Sequence, residues 1–124
     1  MLVHICFTVK YRHKIFNDAA VKQRCEQLLR EAASRAGIKI DSIGFDIDHV
    51  HMVVDIGLHG MAEIAKLLKG YSGYKLLHEF PDVKARYFWS SGFWSPAYFF
   101  KSVGQNYDAV SSYVANQPLN TTGL

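Results

Sequence analysis

Asp48-His49-Val50-His51-Met52-Val53-Val54 sets two histidines two residues apart inside an apolar run. Successive strand side chains point to opposite faces, so His49 and His51 share a face about 6–7 Å apart at ~3.3 Å rise per residue. Val50, Met52, Val54 and Ile56 then point the other way, toward a core. Two imidazoles on one face of a stiff strand are placed to share a divalent metal. The pair equally fits the polar face of an ordinary amphipathic strand, so the remainder of the chain has to decide.

Working outward, the segment Ile38 to Ile47 reads as the preceding strand and Val50 to Ile56 as its hairpin partner, with both histidines at the start of the latter. Upstream, Leu2 to Lys10 alternates, with Val3, Ile5, Phe7 and Val9 on one face. Asn17 or Asp18 can cap a helix running to about Ala36, with Val21, Cys25, Leu28, Leu29 and Ala32 at core spacing and Gly37 at its end. Downstream, Gly57 and Gly60 bracket a turn. A helix follows from Met61 to about Glu79, carrying Ile64, Leu67, Leu68, Tyr71 and Leu76 inward, and Pro81 interrupts. Phe93 to Val103 is an aromatic fourth strand in which Pro96 marks an edge or a bulge. Asn106 can cap a last helix over Tyr107 to Asn116, and Pro118 ends it. The order strand, helix, strand, strand, helix, strand is the α+β ferredoxin-like plan, a four-stranded antiparallel sheet with helices on one face. One C-terminal helix is left over. We expect a single domain over 1–117 and a short tail over 118–124.

The 124 residues suffice for one core, and 49% apolar with 14% aromatic content excludes a disordered chain. No apolar run approaches the ~20 residues of a membrane span. The apolar start lacks a basic leader region and meets Lys10 too early for a signal peptide, so a cytoplasmic protein is expected. Cys6 and Cys25 have no zinc-type spacing and read as buried free thiols. Charge is unevenly spread. Residues 9–39 carry eight Lys or Arg against Asp18, Glu26 and Glu31. Residues 40–63 carry five acids and no Lys or Arg. Residues 64–101 carry six Lys or Arg against Glu79 and Asp82. The acidic block surrounds the histidines and favours a cation; the basic flanks favour a polyanion.

On the surplus helix, Tyr113 and Gln117 are four residues apart and share a face. Gln117 offers a hard amide oxygen, suited to magnesium or manganese. Tyr113 offers a phenol oxygen able to act as a nucleophile. Together with the histidines they supply three metal ligands and a nucleophile, leaving metal positions for phosphate oxygens.

With these pieces in hand, the chain resembles the HUH single-strand nucleases, specifically the single-tyrosine transposases of small insertion sequences. The resemblance runs through Lys10-Tyr11-Arg12, Asp48-His49-Val50-His51, Lys66-Leu67-Leu68-Lys69-Gly70-Tyr71-Ser72, Phe93-Trp94-Ser95 with Tyr98-Phe99, and Tyr113 with Gln117. It implies a transposase that cuts and rejoins single-stranded DNA at insertion-sequence ends. His49, His51 and Gln117 would hold Mg²⁺ or Mn²⁺, and Tyr113 would attack the scissile phosphate to give a 5′-phosphotyrosine and a free 3′-OH. It further implies a subterminal DNA hairpin as ligand and a homodimer in which the tyrosine helix completes the partner's site, with Gly104 and Gln105 as the joint.

Three surfaces are candidates for DNA. Lys66, Lys69, Gly70 and Gly73 lie along one helical face, where small residues beside lysines admit a phosphate backbone, although a close helix–sheet contact explains the glycines as well. Lys10, Arg12, His13 and Lys14 surround Tyr11. Lys84, Arg86, Tyr87 and Trp89 alternate basic and aromatic character as single-strand binders do. The competing readings are a non-catalytic RRM-like nucleic-acid-binding sheet, a domesticated hairpin-specific HUH nuclease, and a metal-dependent hydrolase using water. The first conflicts with Val3, Ile5 and Phe7, which sit where core residues belong rather than stacking aromatics.

Overall fold

The computed structural model describes residues 1–103. The expected last helix with Tyr113 and Gln117, the joint at Gly104 and Gln105, and the tail lie outside the described residues.

Four strands form one antiparallel sheet: β1 (Leu2–Val9), β2 (Lys39–Phe45), β3 (His49–Asp55) and β4 (Trp94–Ser102), in spatial order β2-β3-β1-β4. This is the ferredoxin-like arrangement, with β2 and β4 at the edges. Helix α1 (Ala19–Arg35) begins at Asp18, whose Oδ1 accepts from the backbone N–H groups of Ala20 and Val21, so Asp18 rather than Asn17 is the cap. Val21, Cys25, Leu28, Leu29 and Ala32 are all buried on its inner stripe. Gly37 follows with φ 72°, the left-handed conformation a glycine adopts without a Cβ clash. Helix α2 spans Met61–Glu79 as expected. Its inner residues Ile64, Leu68 and Leu76 join Val3, Ile5, Phe7, Val50, Met52 and Val54 in one core, each such side chain contributing roughly 1.5–3 kcal/mol of burial.

The structure departs from expectation in four places. Leu67 is 43% exposed rather than inward, because α1 and the sheet already fill the arc through Ile64, Leu68 and Leu76. Pro81 does not merely interrupt; it starts a short helix α3 (Pro81–Tyr87), its missing N–H costing nothing in a first turn. Strand β2 stops at Phe45, since Asp46 to Asp48 make the hairpin turn. Strand β4 begins at Trp94, with Phe93 buried before it.

Strand β4 carries the irregularity that Pro96 announces. From Phe7 to Val9 on β1, its partner positions move from Tyr98 to Trp94, so extra residues of β4 bulge out. The carbonyls of Ser95, Pro96 and Ala97 turn away from the ladder and accept from Lys69 Nζ at 2.6, 3.2 and 3.4 Å. Gly73 is buried where α2 crosses this strand: a Cβ there would lie 3.2 Å from Trp94 Cδ1. Beside it Ser72 Oγ donates to the Leu68 carbonyl and accepts from Trp94 Nε1 at 2.9 Å. Among the described residues no helix is long and apolar enough to cross a membrane, and both cysteines are free and buried.

Candidate active site

Strand pairing fixes which side chains share the face opposite the helices. Thr8 pairs with His49, Cys6 with His51, and His4 with Val53 across β1 and β3. Cys6 and Val53 are buried yet stand apart from the helix-side core, which places this row on the other face. His49 and His51 are 2% and 1% exposed, so burial removes the ordinary solvated-face reading of the pair. Their ring centroids are 4.7 Å apart and nearly perpendicular.

The turn that presents His49 is held by backbone. Val9 N donates to the Asp48 carbonyl at 2.9 Å, Phe16 N to the Ile47 carbonyl at 3.0 Å, and Asp46 N to the His49 carbonyl at 2.8 Å. A site whose first residue is pinned by two other segments keeps its geometry without a ligand.

Side chains then set the ring orientations. Asp48 Oδ1 lies 2.6 Å from His49 Nδ1. A carboxylate only accepts, so Nδ1 carries a proton, and in the neutral ring this leaves the lone pair on Nε2. Arg12 Nε donates to the other Asp48 oxygen at 3.0 Å. Burial pushes the Asp48 carboxyl up, but the His49 hydrogen bond and Arg12 outweigh it and hold it below the usual carboxylate range. Tyr11 and Arg12 both take positive φ, 60° and 55°, a costly conformation outside glycine that turns the chain so Arg12 reaches back to Asp48.

His51 Nδ1 lies 3.2 Å from His4 Nε2, and His51 Nε2 is buried with no hydrogen-bond partner among the described residues. Burial, then His49 and His4, drive the His51 pKa down to about 3. Burial and Lys101 lower His4 as well. Asp46 was not singled out from the sequence, where it was one acid of five. It is 5% exposed, and its Oδ2 is buried without a hydrogen bond among the described residues, 3.7 Å from His49 Nε2. A carboxylate oxygen facing an imidazole lone pair is an arrangement that a cation stabilises. Among the described residues no three His, Cys, Asp or Glu side chains form a closed ligand group. The described residues thus offer two adjacent imidazoles, one with an orphaned ring nitrogen, which can serve a divalent ion only with further ligands supplied from elsewhere.

The basic surfaces are placed differently from their sequence order. The segments around Lys14 and Arg86, more than seventy residues apart, line one open groove of about 790 Å³ with Arg12, His13, Asp82 and Tyr87. His13 packs on Tyr87 at 5.0 Å, and Arg86 lies 5.2 Å from the same ring. Trp89 is 77% exposed nearby in sequence. Lys10 lies 5.6 Å from the Tyr11 ring. On α2 the reading divides. Lys66 and Gly70 line a second groove of about 350 Å³ and nothing crowds Gly70, whereas Lys69 is engaged with the β4 bulge and Gly73 with Trp94. For Gly73 the close helix–sheet contact is the reason for the glycine.

These features define an α+β domain of ferredoxin-like topology with a two-histidine site on the sheet face away from its helices. Residues 1–117 match the profile of the IS200-like transposases, and the chain belongs to that family. It is 27% identical over 116 residues to the ISDra2 transposase TnpA of Deinococcus radiodurans, covering 92% of this chain and 81% of that protein. A solved Deinococcus radiodurans chain described as a transposase superposes with a TM-score of 0.74 at 25% identity, over 97% of this chain and 92% of that one. A REP-associated tyrosine transposase bound to a REP hairpin shares the fold at a TM-score of 0.64 and 10% identity, over 91% of this chain and 63% of that one. The protein is thus a transposase of IS200 type, an enzyme of DNA rearrangement.

Proposed function

We propose that this transposase cuts and rejoins single-stranded DNA by transesterification at Tyr113, with His49, His51 and Gln117 holding Mg²⁺ or Mn²⁺. The observation that carries the reading is His51 Nε2: a ring nitrogen buried beside His49, without a hydrogen-bond partner among the described residues. A buried polar atom left unmet costs about 1–3 kcal/mol, a cost that a cation at this point removes. Bound there, the ion supplies Lewis-acid polarisation of a phosphate oxygen.

The chain's own groups do the remainder. Asp48, braced by Arg12, keeps the His49 Nε2 lone pair turned into the site. Asp46 adds negative charge beside it. The Tyr113 phenol oxygen attacks the phosphorus and the 3′ oxygen leaves as a hydroxyl. One P–O bond forms as one breaks, so the phosphotyrosine keeps the bond energy, and a 3′-OH of another strand reverses the step. Lys14, Arg86, His13 and Tyr87, gathered in one groove, suit a single strand that offers both phosphates and base faces. Lys10, Arg12, Lys66 and Gly70 extend these surfaces, while Lys69 and Gly73 shape α2 against β4. Edge strand β4 exposes Phe99 and Phe100, at 38% and 47%, and suits pairing with a second copy. We place the domain at 1–117, with 118–124 as a tail.

The test is incubation with labelled single strands carrying a hairpin, with Mg²⁺, Mn²⁺ or chelator. Cleavage that needs the metal and is lost in His49→Ala and His51→Ala supports the reading. Cleavage that persists in either variant contradicts the ligand assignment, and equal cutting of duplex contradicts the single-strand substrate.

A further inference from the structure

We propose that His4 is a positioning residue for the metal site: its Nε2 accepts the Nδ1–H of His51 and thereby holds His51 in the tautomer whose Nε2 can ligate. The proposal rests on the metal reading above and adds a residue from a different strand, far from the histidine motif in sequence.

The geometry has only two solutions for a neutral pair. The rings approach through His4 Nε2 and His51 Nδ1, 3.2 Å apart, with centroids 5.4 Å apart and planes inclined at 40°. One nitrogen must donate and the other accept. If His4 donates, His51 carries its own proton on Nε2, a buried N–H with no acceptor among the described residues. If His51 donates, Nε2 presents a lone pair instead. Orphaned donors are rarer and costlier than under-used acceptors, and only the second arrangement can bind a cation.

The fold holds His4 in place for this. It lies mid-strand on β1, flanked in register by Val53 on β3 and Lys101 on β4, and is 7% exposed. The two motif histidines are therefore oriented by unlike partners: His49 by the carboxylate of Asp48, His51 by a second imidazole. A neutral acceptor orients His51 without adding charge to a site that already has Asp46 and Asp48 beside His49.

The test has two readouts. In the metal-free protein, nitrogen-15 correlation spectra of the imidazoles report the tautomer of His51; the Nδ1–H form is expected, and the Nε2–H form overturns the role given to His4. Mn²⁺ affinity, read by electron paramagnetic resonance, is expected to fall about 10–100-fold in His4→Phe, which keeps a ring without an acceptor. It is expected to recover in His4→Gln, whose side-chain oxygen reaches the position of the imidazole Nε2. Unchanged Mn²⁺ affinity in a folded His4→Phe overturns the proposal. Absence of Mn²⁺ binding in the unsubstituted protein overturns the metal reading itself, a result distinguishable from the former.

Discussion

Asp48 Oδ1 sits 2.6 Å from His49 Nδ1 while its Oδ2 is held by Arg12, so one carboxylate couples the exposed basic connector to the buried histidine. The two halves of this linkage differ in strength. Asp48 is only 15% exposed at its side chain, whereas Arg12 is 64% exposed. An exposed ion pair contributes about 0–1 kcal/mol, while the partner of a ligating imidazole sets its orientation. Asp48→Ala is therefore expected to lower Mn²⁺ affinity about 10–100-fold, and Arg12→Ala less than about 5-fold. Isothermal titration of both variants checks this; equal losses would contradict the division of roles.

Stability should fall on acidification through His51. Its folded pKa, about 3, is below the ordinary 6.5 because of burial, so between these values the unfolded chain binds a proton that the folded one does not. Stability is complete above pH 6.5 and declines as pH drops toward 3, by at most about 1.4 kcal/mol per unit for this group. Urea midpoints at pH 7.5 and 5.0 measure it. His51→Gln should flatten the dependence; an unchanged slope in that variant would show that other groups cause it.

The two glycines of α2 should respond in opposite ways. Gly70 has open space at its Cβ position, so Gly70→Ala gains up to about 1 kcal/mol of helix propensity. At Gly73 the added methyl meets an indole packed against Phe7, Phe16 and Phe93, and overpacking of about 1–3 kcal/mol offsets that gain. Thermal unfolding separates them. Equal stabilisation by both would refute the close approach of α2 to β4.

The shared groove predicts a salt signature. If Lys14 and Arg86 each neutralise a phosphate of a single strand, Lys14→Ala and Arg86→Ala should each reduce the slope of log affinity against log salt by about 0.7. Fluorescence anisotropy with an oligonucleotide between 50 and 200 mM salt, about the range where such slopes are read, gives the value. Slopes unchanged in both variants would remove the groove from the interface.

Much of the architecture was legible because period and punctuation agreed. The alternation from Leu2 to Val9, the inward series Val21, Cys25, Leu28 and Leu29, and the bounds of α2 all follow from side-chain spacing. What stayed hidden needed three dimensions. Nothing local distinguishes Asp46 from the other acids of its block, and His4 meets His51 only because β1 pairs with β3. Lys69 looked like a surface cation because the carbonyls it binds belong to a bulge 26 residues away. At Pro81 the sequence signals a break after α2, and the same residue is the first of helix α3, where its missing N–H has no intrahelical partner to lose.

The central claim is a covalent bond between Tyr113 and a 5′ phosphate. Reaction of end-labelled single strands with Mg²⁺, followed by denaturing electrophoresis and peptide mass mapping, tests it most directly. The account predicts a protein–DNA adduct on the peptide containing Tyr113, absent in Tyr113→Phe while hairpin binding by that variant persists. An adduct that still forms in Tyr113→Phe, or cleavage with no adduct and a free 5′ phosphate, would contradict it.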